Sequence, residues 1–117
     1  MNFFFSLLLI CYVYKNRLLS QIQIMKYIII GGVAGGATTA ARIRRNDETA
    51  HIIVLEKSKY ISYANCGLPY YIGDVINDRD KLFVQTPASF GQRFNIDVRV
   101  EHEAMDINRE KKELLIR

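Results

Sequence analysis

The chain has 117 residues, 50% of them apolar and 24% charged, the balance of a globular protein with a core to bury rather than of a disordered tail. Sixteen Lys and Arg against twelve Asp and Glu give +4, but Lys15 and Arg17 lie in a first stretch without acids, so from Met25 onward the count is fourteen against twelve. Charge mixed in this way gives no reason to expect a nucleic-acid partner. The two cysteines, Cys11 and Cys66, exclude a disulfide framework and every multi-cysteine zinc site, and the length is too short for a large multidomain enzyme in full.

The apolar run Phe3–Tyr14 is twelve residues, short of the roughly 20 that a membrane-spanning helix needs. It lacks the leading positive charge and trailing small residues of a secretory signal. Residues 1–24 are therefore expected to be an extension foreign to the fold, ahead of a start at Met25. A weak membrane-associating segment, or an extra strand or helix, is the alternative.

Tyr27–Ile30 is a continuous Ile-rich run, as in a parallel strand buried on both faces. Gly31–Gly36 is a glycine-rich loop, and a helix follows over Gly35–Asn46. Its stripe of Gly36, Ala40 and Ile43 is expected to face the sheet, with Thr38, Arg42 and Arg45 grouped on the opposite side. Asn46–Glu48 breaks the helix, and Ile52–Leu55 is a second buried strand ending in Glu56, which completes a βαβ unit. Ser58–Gly73 reads as a loop leading into a short helix with Pro69 in its first turn, capped by Ser62 or Asn65. Thr86-Pro87 starts another helix over Ala88–Phe94. Ile96–Glu101 alternates with period two, and Leu114–Ile116 is a strand candidate after the charged turn Asn108–Lys112. The expected fold class is α/β: a Rossmann-like βαβ unit with a parallel sheet and a small β-rich extension over 25–117, forming an incomplete domain.

Two constellations carry chemistry. A strand, a glycine loop, a helix, a second strand and an acid make a dinucleotide-binding arrangement, in which a pyrophosphate sits against the helix N-terminus. Glu56, twenty residues past Gly36, is placed to accept hydrogen bonds from ribose hydroxyls. Against G-x-G-x-x-G the positions are Gly31, Val33 and Gly36, so the middle glycine is a valine, with Gly32 and Gly35 nearby. A tight βα turn without a ligand is the plainer reading. The second constellation is Cys66. Beside a helix N-terminus its thiolate is favoured and nucleophilic near neutral pH; a buried, inert cysteine is the commoner fate. Local chemistry leaves both open.

The run Ser62-Tyr-Ala-Asn-Cys-Gly-Leu-Pro-Tyr70, at this distance after Gly31–Gly36, resembles the N-terminal part of the single-cysteine flavoprotein disulfide reductases, and within them the branch acting on coenzyme A disulfide. The likeness extends from about Met25 to Arg117 and includes Thr86-Pro87, Arg93-Phe94 and His102-Glu103. It implies FAD held by Gly31, Gly32, Val33, Ala34, Gly35, Gly36 and Glu56, with a main-chain contact to adenine at Ala104. It implies Cys66 as the redox-active nucleophile, and Thr38, Arg42, Arg45, Ser62 and Asn65 as substrate contacts. Electrons would run from NAD(P)H, through flavin, to a mixed disulfide of Cys66 with coenzyme A. The Arg side chains could equally complement the helix C-terminal dipole on a solvated face. No second cysteine lies near Cys66, unlike in two-cysteine relatives, and Ala34 stands where the peroxide- and oxygen-reducing relatives carry a His.

The resemblance further implies a cytoplasmic enzyme, homodimeric at full length, whose later segments carry a NAD(P)H domain, complete the FAD domain and add a dimerisation domain. Alone, the chain is expected to bind FAD poorly and to lack turnover. An NADH oxidase-like flavoprotein and a non-catalytic nucleotide-binding fragment are the alternatives. Tyr70 and Tyr71 are expected to pack rather than line a pocket, His51 and His102 to be structural, and no metal site is expected.

Overall fold

A computed structural model describes residues 24–117. The reading of residues 1–24 as a foreign extension, and Cys11 with it, thus lies outside the described residues apart from Ile24. Among the described residues no helix is long and apolar enough to cross a membrane.

Strand β1 (Lys26–Ile30) leads into helix α1 (Ala34–Asn46), which returns to β2 (His51–Glu56). β1 and β2 pair in parallel, with Tyr27 opposite Ile52 and Ile29 opposite Val54. The break between α1 and β2 is made by Asp47, whose carboxylate accepts from the N–H groups of Thr49 and Ala50 and from the Thr49 hydroxyl. A long crossover then carries a 3-10 turn (Asn65–Gly67), short helix α2 (Leu68–Ile72), a second 3-10 turn (Arg79–Leu82) and helix α3 (Pro87–Phe94). It returns to β3 (Asp97–Val100), which pairs in parallel with β2, so the sheet order is β1-β2-β3. α3 begins with a reciprocal capping box between Thr86 and Ser89 and ends at Asn95 in the left-handed conformation. Strands β4 (Ala104–Asn108) and β5 (Glu113–Ile116) form a separate antiparallel hairpin.

The core lies between α1, α3 and one face of the sheet: Ala37, Ala40, Ile52, Val54, Phe90 and Ile96 are buried together. Small residues on α1 let the helix lie close to the strands, while Thr38, Arg42 and Arg45 are exposed on its other side. The α/β class, the βαβ unit and both longer helices stand where the sequence places them. One expectation is corrected. β2, the central strand, is buried on both faces, but β1 is an edge strand whose Ile28 and Ile30 are 44% and 52% exposed. An Ile-rich run signals a place in the sheet, not a partner on both sides of it. The sequence reading also passed over β4, whose polar Asp106 and Asn108 mask the strand pattern, and the turn Arg79–Leu82.

Candidate functional site

At the end of β1 the ladder runs one residue further, the Gly31 N–H donating to the Leu55 carbonyl at 2.8 Å. Gly31 then turns with φ +93°, a conformation that side chains with a Cβ rarely adopt. A Cβ on Gly36 would collide with the Gly31 carbonyl oxygen, so only glycine lets α1 start this close to the strand end. No side chain caps α1, and no acid lies in its first turn. Its first N–H groups therefore face outward, unneutralised, the arrangement that attracts an anion. Space for a Cβ is open at both Gly31 and Gly35, with no atom within 4 Å.

Glu56 clasps this loop. It is 6% exposed, and its carboxylate accepts from the Gly32 N–H at 2.8 Å and the Ser58 N–H at 2.9 Å. Burial pushes its pKa up, but the hydrogen bonds from Gly32 and Ser58 outweigh it and hold the carboxyl below its ordinary value. Each oxygen keeps a lone pair, so a ribose hydroxyl could still donate to it. The sequence reading foresaw the acceptor but not its main-chain partners. The His102 N–H donates to the Glu56 carbonyl at 3.0 Å, bringing the start of β4 alongside. Gly31, Glu56 and Ala104, some 70 positions apart in the chain at the extremes, thus line one cavity of about 310 Å³. The His102 ring lies 2.7 Å from the Val100 carbonyl, consistent with a structural role. An uncapped helix start, an open glycine turn and a charged acceptor together fit a dinucleotide such as FAD.

The cysteine segment is tied to the same loop. The Ser62 N–H donates to the Gly32 carbonyl at 2.9 Å, and its carbonyl accepts from Val84 at 2.9 Å. Ala64 in turn donates to Leu82 at 2.8 Å. Gly67 is buried against Leu82, so the turn carrying Cys66 rests on that side chain while Cys66 itself is exposed. Cys66 is thus not a buried core cysteine. The expected cap is corrected: Ala64 precedes the 3-10 turn and Gly67 precedes α2, neither Ser62 nor Asn65 caps, and Cys66 lies two residues ahead of α2. Ser62 is unsuited to capping because its backbone sits in the left-handed region, φ 47°. Tyr70 and Tyr71 do not pack as expected; they are 58% and 36% exposed, on a helix with no buried residue.

The outward stripe of α1 faces α3 across a groove of about 500 Å³. Thr38, Arg42, Arg45 and Ser62, all expected to contact substrate, line it; Asn65 and Cys66 do not. Arg93, Gln85 and the Phe90 and Phe94 side chains also line it, none of them assigned a substrate contact from the sequence. Among the described residues no group of His, Cys, Asp and Glu could hold a metal ion.

No family model matches the chain. Coenzyme A disulfide reductase of Staphylococcus epidermidis is 50% identical over 91 residues, 78% of this chain and 21% of the relative. Among solved structures, reduced Bacillus anthracis CoADR-RHD is 54% identical with a TM-score of 0.78 over 80% of this chain and 17% of that one. An NAD-dependent persulfide reductase from A. fulgidus is 43% identical, TM-score 0.75, over 79% and 17%. The chain spans about a fifth of the curated relative's length. Over the matched residues, the resemblance to the coenzyme A disulfide reductases is borne out.

Proposed function

We propose that the chain is the nucleotide-binding and cysteine-bearing segment of an FAD-dependent, NAD(P)H-driven reductase of coenzyme A disulfide or a closely related disulfide, with Cys66 as its nucleophile. The observation that carries this is the pair of hydrogen bonds at Gly32: its N–H to Glu56 and its carbonyl from Ser62. Through them a dinucleotide cradle and a cysteine turn share one loop, so a nucleotide and a sulfur substrate would be held on a common framework.

In this reading Gly31–Gly36 and the start of α1 hold the pyrophosphate, Glu56 accepts from a ribose hydroxyl, and the main chain at Ala104 meets the adenine. Bound FAD would supply two-electron reduction near the sulfur. The Cys66 thiolate attacks one sulfur of the disulfide, forming a mixed disulfide with one coenzyme A and releasing the other as its thiolate. Two electrons and a proton then release the second coenzyme A as thiol and return Cys66 as thiolate. Thr38, Arg42 and Arg45 hold the phosphates, since a guanidinium offers paired donors to phosphate oxygens. Ser62 and Asn65 flank the sulfur.

The first half of this cycle can be tested on the chain itself. With Cys11→Ser as background, coenzyme A disulfide should convert Cys66 to a mixed disulfide, read by mass spectrometry, at least about tenfold faster than glutathione disulfide does. Cys66→Ser should abolish the adduct. Equal rates with the two disulfides, or no adduct on Cys66, would remove the proposal in favour of a nucleotide-binding segment without disulfide chemistry.

A further inference from the structure

Gly67 follows Cys66 with φ −82°, a backbone conformation open to any residue, so the chain path does not itself call for glycine there. The surroundings do call for it. A Cβ at Gly67 would lie 2.7 Å from the Leu82 Cδ2, well inside the separation of about 3.5–4.0 Å at which carbons attract. The Ala64 Cβ and Ile76 Cδ1 stand at 3.7 Å from the same point. Leu82 is 5% exposed, and a side chain so enclosed has little room to swing away. Its main chain grips the turn from the other end, the Leu82 carbonyl accepting from the Ala64 N–H at 2.8 Å. Asn65 and Cys66 are thus held between a main-chain bond and a side-chain prop, both from one residue. We infer that Leu82 is a positioning residue for Cys66, its side chain matched in size to the missing Cβ of Gly67 and setting the height of the cysteine turn.

A prop positions only if it is itself held. The 3-10 turn that ends at Leu82 is capped by Asp78, whose carboxylate accepts from the Asp80 N–H at 3.0 Å. On the other side of Leu82 the Phe83 ring stacks on Tyr60 at 4.8 Å, and the Arg79 guanidinium lies 5.3 and 5.8 Å from the two ring centres. The Val84 N–H donates to the Ser62 carbonyl at 2.9 Å and completes the pairing of Tyr63 with Phe83. Ser62 also donates to the Gly32 carbonyl, so the prop, the cysteine turn and the glycine loop share one frame. The inference rests on the reading of Cys66 as the nucleophile toward coenzyme A disulfide, and concerns what aims it. A thiolate must meet a disulfide along the S–S axis, so a small displacement of the turn costs rate when the substrate is held elsewhere on the protein. A small alkylating agent that arrives from solution adapts to the displacement.

The rates at which Cys66 reacts with coenzyme A disulfide and with iodoacetamide, read by mass spectrometry in the Cys11→Ser background, test this. Gly67→Ala drives a methyl into the prop and Leu82→Ala removes the prop. Each should slow the reaction with coenzyme A disulfide about tenfold and that with iodoacetamide less than about twofold. The double variant refills the space from the opposite side and should return to within about threefold of the parent, the non-additivity expected of touching residues. Urea unfolding midpoints identify any variant that folds poorly, and Leu82→Val, a smaller truncation, should fall between the parent and Leu82→Ala. A merely structural role would lower the midpoints and leave the ratio of the two rates unchanged, which would overturn the inference. Losses that add in the double variant would overturn it too. If the parent favours coenzyme A disulfide over glutathione disulfide and both single variants keep the parent's rate, the inference alone fails. If the parent shows no such preference, the substrate reading falls and takes the inference with it.

Discussion

The ends of the β1-α1-β2 unit and the outer surface of α1, α3 and the cysteine turn use charged and polar side chains in opposite ways. At opposite ends of the unit Glu56 and Arg44 are directed at main-chain groups: Glu56 at the N–H groups of Gly32 and Ser58, Arg44 at the carbonyls of Glu48, Phe94 and Asn95. On the outer surface Arg42, Arg45 and Arg93 have no ion-pair partner among the described residues, and Cys66 is exposed. Charges satisfied by the backbone fix a framework. Charges left without partners on a fixed framework are free to meet a ligand without first breaking a bond.

The largest effect should come from disturbing the framework. Gly36→Ala drives a methyl into the Gly31 carbonyl, a backbone atom that cannot rotate away. We expect a loss of about 3 kcal/mol or more, measured by urea unfolding. A variant as stable as the parent would break the comparison at its root, since the close start of α1 would then not be a constraint.

Glu56→Gln comes next. The amide keeps one acceptor but turns a donor toward an N–H, and we expect a cost of about 2 kcal/mol at neutral pH. The sign with pH follows from the depressed carboxyl. Because the folded pKa lies below the ordinary 4.5, Glu56 contributes stability that is present above 4.5 and lost as pH falls through the folded value. The parent's acid destabilisation should therefore be steeper than that of Glu56→Gln, and the two stabilities should converge toward low pH. Parallel curves would mean that the clasp on Gly32 contributes nothing through its charge.

Much of this was legible in the sequence because the signals were local. Periodicity placed α1, Thr86-Pro87 placed α3, and the glycine spacing placed the turn where Gly31 takes its positive φ. The convergence of Gly31, Glu56 and Ala104 on one cavity was legible only through the family likeness, since Ala104 carries no chemical mark of its own. What stayed hidden depends on contacts distant in the chain. Ser62 looks like a cap, yet its backbone is drawn into the left-handed region between Gly32 and Val84. β1 looks like an interior strand, yet its place is the edge. Arg93 looks like any basic residue at the end of a helix until α1 is seen across the groove.

The smallest predicted effect separates two neighbours in one helix turn. Arg44 and Arg45 are adjacent, both in the last turn of α1, and both suited to its C-terminal dipole. A helix advances about 100° per residue, however, and that rotation alone sends them to different fates. Arg44 turns toward α3 and meets carbonyls 50 and 51 positions away, whereas Arg45 opens into the groove. Arg44→Ala should cost about 1 kcal/mol of stability, modest because much of its guanidinium is wet. Arg45→Ala should change stability by less than about 0.5 kcal/mol. Coenzyme A binding should respond to both, through lost helix spacing in the first case and a lost phosphate contact in the second. Salt distinguishes them: raising ionic strength should narrow the affinity gap between Arg45→Ala and the parent, because a charge contact is screened. It should leave the gap for Arg44→Ala nearly as wide, because altered spacing is not.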